Sequence, residues 1–124
     1  MNIVDSSGWL EYFAEGPNAG SFAEPLAEVT RLVVPAITLY EVFKVVCRQR
    51  GEDAALQAVA LMQQGEVADL NASLCLQAAR ISLELKLPMA DSLILATARS
   101  CQALLWTQDE DFASLDGVRY FPRL

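Results

Sequence analysis

The chain has 124 residues, 53% of them hydrophobic, a formal net charge of −7 and no histidine. This length suits one domain with a real core, and the apolar content excludes a disordered chain. The lack of histidine excludes Ser-His and Cys-His nucleophile systems and argues against a zinc site built from His and Cys. The metal that this composition favours is a hard cation held by oxygen, Mg²⁺ or Mn²⁺.

The same composition bears on location and partners. No apolar run approaches the roughly 20 residues that span a bilayer, and the N-terminus lacks signal-peptide features, so we expect a cytoplasmic protein with no membrane segment. Cys47, Cys75 and Cys101 fall in apolar helical patterns, where we expect small buried hydrophobes. The negative charge argues against a polyanionic partner, unless several of the acids bind divalent cations.

The first seven residues, MNIVDSS, predict a buried strand that ends on a functional side chain. Ile3 and Val4 form a short β-branched run, and Asp5 stands at its carboxyl end, where open α/β sheets bind their ligands. The alternative is that Asp5 only caps the next helix. Ser6 or Ser7 can supply such a cap, which leaves Asp5 free.

The first two predicted helices cover residues 6–15 and 19–29 and carry an unusual number of aromatic side chains. Some of these residues are candidates for a partner interface, and the alternative is that they fill the core. They are Trp9, Tyr12, Phe13 and Phe22.

A second acid follows the second predicted strand, residues 31–34. Glu41 lies in the first turns of a helix predicted over 36–50 and ended by Gly51. The alternative role for Glu41 is a capping box with Thr38.

The second half of the chain repeats the alternation of strands and helices. Asp91 lies in the first turn of a nearly all-apolar helix, which predicts burial, with a helix-dipole role as the alternative. Asp109 directly follows a strand, and the alternative there is an acidic loop in which Asp111 caps a short helix through Leu115. We predict strands over 66–70, 103–107 and 118–121, and helices over 52–64, 72–86 and 89–101.

This alternation predicts a single α/β domain, residues 1–124, with a parallel sheet and helices on both faces. In that arrangement Asp5, Glu41, Asp91 and Asp109 share one edge of the sheet. Carboxylates that share a pocket repel each other, and divalent cations remove the conflict. Such a site suits phosphodiester hydrolysis, with nearby hydroxyl groups to orient water or phosphate.

Four segments of the chain, in order, resemble the motifs of PIN-domain endoribonucleases. They are IVDSS, VPAITLYEV, LPMADSLILATA and LLWTQDEDF. The resemblance covers the whole length and is strongest to the VapC toxins of toxin–antitoxin pairs. It implies a three-layer α/β/α sandwich with a short, mostly parallel central sheet. It also implies a homodimer, a protein antitoxin that blocks the site, and structured RNA such as tRNA or ribosomal RNA as substrate.

The resemblance also assigns residues. The acidic metal-binding quartet matches Asp5, Glu41, Asp91 and Asp109. The supporting polar positions match Ser6 and Thr107, and Asp111 is taken as a supporting or capping residue rather than a ligand. Ser92 departs slightly from the pattern, because it adds a hydroxyl group where similar proteins carry a small residue, and we expect this group to be tolerated.

Three rival interpretations are weighed against a nuclease. A haloacid-dehalogenase-like phosphatase needs a second acid where this chain has Ser7. A receiver domain needs paired acids near the first strand and a late lysine, and no lysine follows Lys86. A catalytically silent PIN domain that only binds a partner stays open as an alternative.

Overall fold

The computed structural model describes all 124 residues as alternating short strands and helices. The five strands are β1 (Asn2–Val4), β2 (Val33–Pro35), β3 (Glu66–Ala68), β4 (Leu104–Thr107) and β5 (Val118–Tyr120). The six α-helices are α1 (Ser6–Phe13), α2 (Ala19–Ala27), α3 (Ala36–Arg50), α4 (Glu52–Met62), α5 (Ala72–Leu85) and α6 (Met89–Ser100). Two 3₁₀ turns, Val29–Arg31 and Glu110–Phe112, precede β2 and follow β4.

All strand pairs are parallel. β1 pairs with β4, β4 with β5, and β2 with β3. An isolated bridge between Asn2 and Leu32 joins the two groups of strands, so the strands run side by side in the order β3-β2-β1-β4-β5. With every strand pointing the same way, all carboxyl ends lie at one edge, where ligand sites of such sheets form.

Neighbouring residues on the central strands point to opposite faces, as the two-residue period of a strand requires. Ile3 and Leu105 pack into one core cluster together with α5 and α6. Val4 and Trp106 pack into the other, with residues of α1 to α4. Two helical layers therefore enclose the sheet, which confirms the predicted three-layer α/β/α sandwich.

Element bounds agree with the sequence prediction to within two residues in most places. The main differences are a 3₁₀ turn at Val29–Arg31, where the second helix and strand were expected to meet, and Pro35, which belongs to β2 instead of closing it. The seven residues from Ser92 to Ala98 are all buried, as the apolar pattern of α6 predicted. None of the six helices combines the length and the apolar character that crossing a membrane requires.

The expectation that the three cysteines are buried fails. Cys75 is exposed because it lies on the outer face of α5, while Cys47 and Cys101 are only partly buried. Of the aromatic residues of α1 and α2, Trp9 and Phe22 fill the core with 3% and 0% exposure, whereas Tyr12 is exposed and Phe13 partly buried.

Candidate active site at the carboxyl edge of the sheet

Asp5 follows β1 directly and is only 2% exposed. Its Oδ1 accepts hydrogen bonds from the Gly8 backbone N–H at 2.9 Å and the Ser7 hydroxyl at 2.7 Å. Its Oδ2 accepts from the Thr107 hydroxyl at 2.6 Å. Asp5 is therefore the N-cap of α1 as well as a residue of the acidic site, and the expectation that Ser6 or Ser7 would supply the cap is wrong.

Thr107 links the ends of the two central strands. Its hydroxyl donates to Asp5 and accepts a hydrogen bond from the Asp109 backbone N–H at 2.9 Å. The parallel pairing of Val4 with Trp106 sets this contact, because it places the residues that follow both strands side by side. One side chain thus contributes both to the orientation of Asp5 and to the path of the chain at Asp109.

Glu41 reaches the same edge from α3. The Ser6 hydroxyl donates to Glu41 Oε1 at 2.6 Å and ties the first turn of α1 to α3. The alternative capping box is absent: α3 begins after Pro35, and the Thr38 hydroxyl donates instead to the Pro35 carbonyl at 2.6 Å. Glu41 is thus oriented by Ser6 and not by a helix cap.

Asp91 lies in the first turn of α6 and is partly buried. Burial raises its pKa to about 7, and the negative charges of four neighbouring acids add to the shift. These neighbours are, in order of decreasing effect, Asp109, Asp5, Glu41 and Asp111. All four predicted acids, together with Asp111, therefore lie around one pocket, close enough for their charges to affect Asp91.

The closest group of acids in this pocket consists of Asp91, Asp109 and Asp111. One carboxylate oxygen from each lies within 4.8 Å of the other two. Asp109, and not Asp111, caps the 3₁₀ turn at Glu110–Phe112, because its Oδ1 accepts from the Asp111 N–H at 3.0 Å. The capping role expected for Asp111 is therefore wrong.

The donor set of this group fits Mg²⁺ or Mn²⁺. Ligand oxygens around such an ion lie about 2 Å from it, hence about 3–4 Å apart. The three carboxylate oxygens lie within 4.8 Å of one another, which is close to that spacing. All three donors are carboxylates, the ligand type that hard cations prefer. Burial is the main cause of the raised pKa of Asp91, and a cation would remove the further contribution that comes from the neighbouring carboxylates.

The pKa of Asp5 is raised to about 6, and the main cause is burial. The hydrogen bonds from Thr107, Ser7 and Gly8 oppose this shift because they stabilise the ionised carboxylate. These three hydrogen bonds thus offset part of the cost of burying a negative charge at Asp5.

A polar network behind the site was not predicted. Asn18 and Gln108 are 6% and 3% exposed, and Asn18 Nδ2 donates at 3.0 Å both to Gln108 Oε1 and to the Pro122 carbonyl. Glu11 accepts from the Asn18 N–H at 2.7 Å, and the Gln108 N–H donates to Ser7 Oγ at 3.3 Å. Gln108, between Thr107 and Asp109, is one residue near the site that was not predicted from the sequence. Its one signal is its place inside the motif TQD.

Gly8 is a second missed residue. A Cβ atom at this position would lie 2.6 Å from Val4 Cγ1 and 2.8 Å from the Phe22 ring. The first turn of α1 therefore packs directly on β1 and α2, and this packing brings the Gly8 N–H to Asp5.

Solved structures with the same fold include toxins from several bacteria. A chain of a toxin–antitoxin complex from Klebsiella pneumoniae is 22% identical with a TM-score of 0.83, and the match covers 100% of both chains. VapC20 of Mycobacterium tuberculosis, described as a toxin that cleaves the sarcin-ricin loop, is 21% identical with a TM-score of 0.75, over 94% of this chain and 95% of that one. A DNA-bound VapBC structure from Salmonella typhimurium is 17% identical with a TM-score of 0.74, over 98% of both chains.

No curated protein matches the chain by sequence. The family model for the PIN domain, however, matches residues 3–118, from β1 into β5. This match includes every acid of the site. It also excludes the receiver and phosphatase interpretations, which require other folds. The chain belongs to the PIN domain family, with the fold found in the VapC toxins.

Proposed function

We propose that the protein is a metal-dependent endoribonuclease and the toxin of a toxin–antitoxin pair. The observation that carries the proposal is the group Asp91, Asp109 and Asp111, whose carboxylate oxygens lie within 4.8 Å of one another and whose charges add to the effect of burial on the pKa of Asp91. A site that only bound a protein partner gains nothing from such repulsion. The structured RNAs named by the resemblance, tRNA and ribosomal RNA, are the proposed substrate class.

The residues of the site have two roles, metal binding and orientation of the carboxylates. The predicted quartet Asp5, Glu41, Asp91 and Asp109 would hold Mg²⁺ or Mn²⁺, and Asp111, close to Asp91 and Asp109, would be a further ligand. A cation bound there makes a water nucleophilic near neutral pH and stabilises charge on phosphate oxygens. Thr107 and Ser7 hold their protons toward the Asp5 carboxylate and fix its orientation, and Ser6 does the same for Glu41.

Cleavage of total RNA tests the proposal. We expect the wild type to cut in Mg²⁺ or Mn²⁺ and to stop in EDTA, and Asp91→Asn and Asp5→Asn each to lose at least about a hundredfold in rate, because metal placement supplies several kcal/mol of the barrier. Sequencing of the new RNA ends identifies the substrate. Activity that persists in EDTA, or in Asp91→Asn purified in the same way, would mean a contaminating nuclease or a different mechanism.

We further propose that the antitoxin binds the groove between α3 and α4. The groove has a volume of about 770 Å³ and is mainly apolar, with Leu39, Phe43 and Val59 among its walls. Tyr40, 61% exposed, lies at its edge, and Lys44 stands over the Tyr40 ring at 5.7 Å. An amphipathic helix with an apolar face and acidic flanks fits this surface.

The antitoxin proposal predicts that Phe43→Glu abolishes neutralisation by the protein encoded beside this chain. RNA cleavage by the free variant should be unchanged, because Phe43 is two positions from Glu41 on α3 and therefore lies on a different face of the helix. Co-purification of the tagged pair and a growth assay are the measurements. Normal neutralisation of the variant would place the antitoxin elsewhere.

A homodimer through α5 and α6 is the third part of the proposal. Three large apolar side chains on these helices are strongly exposed: Leu76 at 64%, Leu83 at 84% and Met89 at 73%. Leu83 and Met89 border a mainly apolar cavity of about 470 Å³, and a second copy would cover them. We expect a dimer by light scattering and a monomer for Leu83→Asp; a monomeric wild type would exclude it.

A further inference from the structure

A cavity opens beside the acidic site and is not explained by metal binding. It has a volume of about 240 Å³ and lies between α1, the second half of α3 and the segment after β5. Its polar wall contains Ser7, Glu11 and Gln108 as well as two arginines, Arg50 and Arg123. A cavity with two guanidinium groups is suited to an anion.

This cavity borders the site. Ser7, one of its wall residues, donates to Asp5 at 2.7 Å. A second cavity, of about 420 Å³, shares Gln108 and Arg123 with the first and is also lined by the acids Asp109 and Glu110. A groove thus runs past the acids on the side of α1, and Arg123 lines both parts of it.

The two arginines in this groove contrast with the net negative charge of the chain. The whole protein has nine Lys and Arg residues against sixteen acids, so a polyanion needs a local positive surface. Arg50 and Arg123 are both exposed, from two segments far apart in the sequence. The only acid in the first cavity, Glu11, already accepts hydrogen bonds from the Asn18 N–H and the Gln108 side chain.

We propose that Arg50 and Arg123 bind backbone phosphates of the RNA strand next to the phosphate that is cleaved. The inference rests on the proposed nuclease function and adds the path of the substrate to it. An RNA strand is favoured over an acidic peptide because the groove leads from the carboxylates that hold the metal. A strand with one phosphate at the metal necessarily presents its next phosphates to the neighbouring surface. Arginine holds phosphate oxygens with two parallel N–H donors.

Binding of a fluorescent single-stranded RNA of about twelve nucleotides, followed by anisotropy in Ca²⁺, measures the contribution of each arginine. We expect Arg50→Ala and Arg123→Ala each to weaken binding about three- to tenfold at about 50 mM salt. Each should also make the slope of log K against log salt shallower by about 0.7 up to about 200 mM, because one phosphate contact is lost. Arg50→Lys and Arg123→Lys, which keep the charge, should recover part of the affinity and most of the slope.

Arg31→Ala is the matched control, since Arg31 is exposed at the amino end of β2, at the opposite edge of the sheet. It should bind RNA like the wild type. Equal losses in all three alanine variants would indicate a general charge effect and overturn the proposal.

Suppose that the wild type cleaves RNA with metal, while Arg50→Ala and Arg123→Ala keep the wild-type RNA affinity and the wild-type slope of log K against log salt. That result would overturn this inference, and the nuclease function would still hold. Selective loss of antitoxin binding in those variants, with normal RNA affinity, would assign the groove to a protein and also overturn it. A wild type that does not cleave RNA in Mg²⁺ or Mn²⁺ would refute the proposed function itself. Thermal melts confirm that each variant is folded.

Discussion

Asp5 and Asp91 lie in one pocket, and both have raised pKa values, yet the groups around the two carboxylates differ. Asp5 accepts hydrogen bonds from Gly8, Ser7 and Thr107, which partly offset the cost of its burial. Asp91 shows no such compensation, because after burial the largest causes that raise its pKa are the charges of other acids. Asp5 is therefore anchored by its hydrogen bonds, whereas the negative charge of Asp91 is left without a comparable partner in the protein.

The largest expected effect concerns metal binding to the folded state. Mg²⁺ or Mn²⁺ at about a hundred times its dissociation constant should stabilise the wild type by about 3 kcal/mol, and Asp91→Asn should lose most of this gain. Thermal melts of both proteins with and without metal measure it. The affinity should rise with pH up to about 7, because protons compete for Asp91. Equal responses of the two proteins would refute the assignment of Asp91 as a ligand.

Asp5→Ala should destabilise the metal-free protein by about 2 kcal/mol at pH 5. The substitution removes the cap of α1 and leaves the Thr107 and Ser7 hydroxyls without their acceptor. At this pH, below its pKa of about 6, Asp5 is largely neutral, so little charge repulsion is relieved in exchange. Urea denaturation is the measurement, and a variant as stable as the wild type would mean that Asp5 is not an anchor.

Asp91→Asn should have the opposite and smaller effect, a stabilisation of about 1 kcal/mol at pH 8 without metal, because Asp91 is only partly buried and solvent screens its charge. The pKa of Asp91 rises from 3.8 unfolded to about 7 folded, so between these values the folded state holds more protons. Stability from this group therefore falls as the pH rises through that window.

The gain from Asp91→Asn should accordingly vanish near pH 4, where Asp91 is neutral in the folded protein. Asp116→Asn is a matched control, since Asp116 is exposed and outside the acidic group. A loss of stability at both pH values in Asp91→Asn would instead indicate that the helix dipole is the main role of Asp91.

Local sequence patterns were sufficient to predict the elements and the chemical character of the site. Hydrophobic periodicity is a local property, and it set most helix and strand bounds to within two residues, including the buried α6 around Asp91. Acids at strand ends and in first helical turns followed from the same reading, because parallel strands bring such positions to one edge. The absence of histidine left oxygen ligands as the chemistry of that edge.

Which acids accept hydrogen bonds, and from which donors, depends on contacts between distant parts of the chain. The hydrogen bond from Thr107 to Asp5 joins residues 102 positions apart, and it exists because β1 and β4 pair in one particular register. The placement of Asp111 beside Asp91, and of Arg50 beside Arg123, likewise depends on how distant segments pack. Local patterns contain no distances between such segments, so the charge balance of the pocket appears only once the chain is folded.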